Sequence, residues 1–193
     1  MLLAPDRLEH YKTNLEQQLK RLATSIRIYQ AFKSSKTTEL SNQANRLWEL
    51  SQRYRLVKGT NQAATFALLS VCQDAYQNLQ DSILTLDYKL VQISAQLSDF
   101  EIECLNLSQE QNETKTPAVL TEFRNFLKES LKLMQNHVKY LELNLRQLQP
   151  QFMAPESYLE AFKSDLIMPE HTEARISLGL AKIERPANFP LNL

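Results

Sequence analysis

The sequence predicts an all-α fold, an elongated antiparallel bundle of coiled-coil hairpins. About four long helices lead to a short C-terminal helix and an extended tail. Three observations carry this. Twelve successive positions from Leu69 to Leu107 alternate three- and four-residue spacing and hold no charge, the spacing of a heptad seam. The 193 residues include only two glycines, Gly59 and Gly179, so little of the chain is suited to tight turns. Prolines fall between the periodic stretches and not inside them.

The first helix is expected over about residues 6–33. Leu8, Leu15, Leu22 and Tyr29 recur every seven residues, with Leu19 and Ile26 between them. Ser34-Ser35-Lys36-Thr37 reads as a polar break. A second helix over about 38–58 then carries Leu40, Leu47, Leu50, Tyr54 and Val57 on one side. The third, over about 61–111, holds the strongest seam and would be about 75 Å long at 1.5 Å per residue. A polar turn over 108–116 leads to a fourth helix, about 117–149, with Thr116 as N-cap and Pro117 at its first position. The four-and-four step Phe123–Leu127–Leu131 is a stutter in its seam. A connection this short predicts that the third and fourth helices form an antiparallel hairpin.

The pattern changes after Pro150, dividing the chain into a helical bundle over 1–149 and a C-terminal segment over 150–193. A short amphipathic helix is expected over about 156–166. Beyond it, Ile176, Leu178 and Leu180 alternate with Ser177, Gly179 and Ala181, a weak strand-like signal, and Pro186 and Pro190 keep the end extended.

Formal charge is zero, but it is segregated. Residues 1–58 hold eleven Lys/Arg against five Asp/Glu, whereas residues 59–113 hold Lys89 alone against eight acids. The basic N-terminal part and the acidic third helix are therefore natural partners, within one chain or between two.

The composition argues against most site chemistry. Two isolated glycines cannot write a P-loop or a dinucleotide-binding turn, so no cofactor is expected. His10, His137 and His171 have no second His or Cys at helical ligand spacing, so no metal site is expected. No nucleophile–base pairing is evident, so no catalytic residue is assigned and the chain reads as a non-enzyme. Cys72 and Cys104 occupy seam positions, where a thiol behaves as a small apolar group. The start of the sequence carries no signal-peptide pattern, and the longest nearly apolar stretch, 63–72, is far too short to span a bilayer, so a cytoplasmic location is expected.

What remains is an interaction, scaffold or adaptor role through long heptad helices, with other proteins or a second copy of the chain as partner. The candidate docking residues are Tyr158, Leu159, Phe162, Ile176, Leu178 and Leu180, whose apolar character exceeds what a solvated tail requires. The same residues could equally pack back on the bundle. The alternative is a peripheral binder of nucleic acid or anionic membrane, using the basic cluster Arg46, Arg53, Arg55 and Lys58.

Overall fold

The computed structural model describes residues 5–110, 117–150 and 154–184. The all-α prediction is borne out: five helices account for nearly all of them, and among the described residues there is no strand. The helices are α1 (Pro5–Val57), α2 (Gln62–Glu110), α3 (Ala118–Gln147), α4 (Glu156–Asp165) and α5 (Glu170–Glu184).

Two expectations are corrected. The break at Ser34–Thr37 does not exist, because α1 continues through it. The Ser35 hydroxyl donates to the Phe32 carbonyl at 2.7 Å, and the Thr37 hydroxyl to the Lys33 carbonyl at 3.2 Å. Polar side chains that bond back to the preceding turn can stay helical and need not end the helix. The strand-like tail is α5. Ile176, Leu180 and Ile183 lie four and three residues apart on one buried face, while Leu178 is exposed. A lone strand there would leave its amides and carbonyls without partners, and a helix satisfies them internally. Pro186 and Pro190 lie outside the described residues, as does Thr116.

Local signals set the helix ends. Gly59 takes the left-handed backbone at φ 88° that a non-glycine residue rarely adopts, and it closes the turn after α1. The Asn61 side chain then accepts from the Ala64 amide at 3.0 Å, capping α2. Pro117, Pro155 and Pro169 immediately precede α3, α4 and α5.

The chain divides into two compact units. The first comprises Met1–Gln30, Lys89–Met134 and Pro169–Leu193, and the second comprises Ala31–Tyr88 and Gln135–Met168. Each takes one stretch of α1, α2 and α3 together with one short helix, α5 in the first and α4 in the second. This division does not follow the boundary at residue 150 that the change of pattern suggested.

In the first unit the core draws Leu19 and Ile26 from α1, Leu90 and Phe100 from α2, Leu127 from α3 and Leu180 from α5, all buried. Ion pairs run along its surface: Arg27–Glu184, Lys128–Glu101 and Arg175–Glu129. Between α1 and α2 the polar contacts of this unit include one long ion pair and two hydrogen bonds from neutral side chains to carboxylates. Arg7 approaches Glu110 at 3.9 Å, Tyr11 donates to Glu110, and Asn14 donates to Glu103. Such surface pairs each contribute about 0–1 kcal/mol, so they select register while burial supplies the stability.

In the second unit the core is built from Leu40 and Leu47 of α1, Cys72 and Leu79 of α2, Leu141 of α3 and Phe162 of α4. Asn144 of α3 also bonds the Asp165 carboxylate at the end of α4.

Candidate functional site

The six predicted docking residues separate into two environments. Leu159 and Phe162 are buried in the second unit, and Ile176 and Leu180 in the first, so these four serve as core. Their spacing of three and four residues puts each pair on the inward face of its helix. Tyr158 and Leu178 remain exposed, in different units.

The basic cluster belongs to the second unit, and its four members are all exposed. Arg46 stands apart, lining a shallow groove with Asp74, which offsets its charge locally. Arg53, Arg55 and Lys58 lie at the end of α1, in a segment, residues 50–73, that contains no acid. Lys58 Nζ sits 5.8 Å from the centre of the Tyr54 ring, a cation–π contact. Cations here also complement the C-terminal end of the helix dipole. Leu56 and Phe66, in the same stretch of chain, are 78% and 64% exposed.

A further apolar feature lies on α2 within the first unit. Val91, Ala95, Ser98, Ile102 and Leu105 succeed one another at four, three, four and three residues, a second heptad seam on the same helix. At 100° per residue its centre lies roughly 150° around the helix from the core seam of Leu90, Ile93, Leu97, Phe100 and Cys104. All five residues are exposed, and Val91, Ile102 and Leu105 each keep more than half of their surface in solvent. Polar residues frame it, with Ser94 and Glu101 on one side and Gln92 and Asp99 on the other. Glu101 holds Lys128 at 2.5 Å, while Asp99 makes no ion pair among the described residues.

Sequence reading missed this face because the core seam accounted for the helix by itself. Its signal was nonetheless present: the same three-and-four spacing, displaced by one or two residues, from Leu90 to Val91 and from Ile93 to Ala95. Single exposed apolar residues need no explanation, whereas a contiguous series along one helix is a candidate interaction surface.

The other reactive groups are held in packing roles. Both cysteines are free and buried. Burial pushes the Cys104 thiol up to about 12, with Arg124 acting against it. Burial also raises Cys72, and Ser51 draws it partly back. Neither thiol is poised as a thiolate nucleophile. His137, buried in the second unit, is lowered to about 4, first by burial and then by the Lys33 ammonium. Among the described residues no group of three His, Cys, Asp or Glu is placed to hold a metal ion, and no helix is long and apolar enough to cross a membrane.

No family model, curated protein or solved structure matches the chain.

Proposed function

We propose that this chain is a non-enzymatic interaction subunit, a helical scaffold or adaptor in the cytoplasm whose docking face is the outward seam of α2 in the first unit. The observation that carries the reading is that seam itself: four apolar residues and one serine at heptad spacing, exposed on a helix whose other seam is already buried. A helix with one apolar stripe completes a fold, and a second, solvated stripe has the pattern by which helices lay an apolar face on a partner. The buried, unreactive thiols fit a reducing compartment. Photo-crosslinking amino acids at Val91 and Ile102, compared with the exposed polar sites Lys139 and Glu173, test it in cells. Protein adducts enriched at the seam support the reading, and equal yields at all four sites would refute it.

A second reading is favoured by one separate observation. Arg53, Arg55 and Lys58 share an acid-free stretch with exposed Leu56 and Phe66, the combination that holds a helix end at an anionic lipid surface. Nucleic acid would use the cations but not the apolar pair. Co-sedimentation with phosphatidylserine vesicles should then weaken with salt and with Arg53→Glu/Arg55→Glu. Absent or salt-insensitive binding removes this reading.

A further inference from the structure

We infer that the occupant of the outward α2 seam is the same seam of a second copy of this chain, paired antiparallel about a two-fold axis between Ala95 and Ser98. The inference rests on the docking reading above and specifies its partner.

The seam is self-complementary in side-chain size. Val91, Ala95, Ser98 and Ile102 run large, small, small, large, an order of sizes that is the same read in either direction. An isologous interface requires this kind of self-complementarity, because each residue must fit the patch that its own copy presents. With the axis midway between Ala95 and Ser98, Ala95 lies against Ser98 of the second copy and Val91 against Ile102. The small central residues permit close approach of the two helices. Packed helices cross at an angle, so the gap widens away from the centre, where the larger side chains fill it.

The distribution of acids along α2 favours the antiparallel arrangement. On α2 residues 88–98 hold no acid, whereas Asp99, Glu101, Glu103 and Glu110 follow. Parallel pairing would bring the two acidic ends together. Antiparallel pairing sets each acidic stretch beside the acid-free stretch of the second copy and also opposes the helix dipoles. The flanks agree with this register. Glu101 falls opposite Ser94 of the second copy, and Asp99 opposite Gln92. Each carboxylate thus meets a neutral hydrogen-bond donor and no second carboxylate.

The test uses the full chain with single substitutions Val91→Cys and Ile102→Cys, co-expressed with different tags and exposed to mild oxidant. Antiparallel pairing puts residue 91 of one chain against residue 102 of the other. The expected result is a disulfide between unlike chains, at least tenfold above what either variant gives alone. The unsubstituted chain, with Cys72 and Cys104 buried, is the background control. Efficient crosslinking of each variant with itself would overturn the antiparallel register. A chain that scatters light as a monomer and forms no crosslink would overturn self-pairing altogether. The docking reading would then be judged separately by its photo-crosslinks, whose adducts would belong to other proteins.

Discussion

At the scale of single residues, two buried positions make opposite statements about tolerance. Gly179 lies inside α5, where alanine would ordinarily stabilise by about 0.5–1 kcal/mol. Here a methyl group would overlap the ring of Phe126 on α3, so the ring would have to move. Overpacking of this kind costs about 1–3 kcal/mol, more than the helical gain. Gly179→Ala should therefore lower the thermal midpoint, and in a Phe126→Ala background the same substitution should raise it. Calorimetry on the four proteins of this double-mutant cycle measures the coupling directly.

His137 is the other instructive residue. Its imidazole is buried near the Lys33 ammonium and its Nε2 has no hydrogen-bond partner, so the folded chain holds it neutral down to about pH 4. Its ordinary value is 6.5, so below that pH the unfolded chain binds a proton that the folded chain does not. Stability is thus unaffected above about pH 6.5, falls as pH drops from there, and stops changing on this account below about pH 4. The full difference amounts to about 3 kcal/mol. Urea titrations of the wild type and His137→Leu across this window should diverge, with the leucine variant losing less stability on acidification.

At the scale of elements, α1 shows where sequence reading succeeds and where it slips. Its seam residues Leu15, Leu22 and Tyr29 are buried as the heptad requires, and so are Leu40 and Leu47. Between them Ser34-Ser35-Lys36-Thr37 has the composition of a loop yet stays helical. Helix propensity differs by only a few tenths of a kcal/mol for such residues, and packing on both sides of the segment outweighs it. Ser35→Pro should disrupt α1 at this point and cost about 3 kcal/mol or more, seen as a lowered denaturation midpoint. Ser34→Ala should be neutral or slightly stabilising.

The tail is helical despite its strand-like signal because, over five residues, alternation of apolar side chains fits a strand as well as it fits part of a helix. Ile183, one turn further on, resolves the ambiguity, because Ile176, Leu180 and Ile183 share a face only in a helix. The core seam of α2 was legible outright. Its outward seam was legible only by asking what the remaining apolar residues, from Val91 to Leu105, had in common.

At the scale of the whole molecule, zero formal charge conceals an arrangement in which α1 is basic and α2 acidic. Within the first unit Arg7 of α1 approaches Glu110 of α2, while Tyr11 and Asn14 satisfy acidic side chains of α2 with neutral donors. The fold class followed from periodicity and scarce glycine, whereas the grouping of distant segments into two units did not, since it depends on which buried faces meet. The predicted docking residues were right in character, being apolar beyond the needs of a tail, but four of the six are used internally. Burial separates a core face from a docking face, and residue type alone does not.

The claim on which the account depends is that α2 presents one seam to the core and the other to a second copy. Light scattering during size exclusion, with circular dichroism on the same fractions, compares the wild type with Ile102→Lys. The account predicts a wild-type dimer and a lysine variant of monomeric mass with unchanged helicity, because Ile102 is more than half exposed and supports no core. A wild-type chain of monomeric mass, or a dimer indifferent to the lysine, would contradict it.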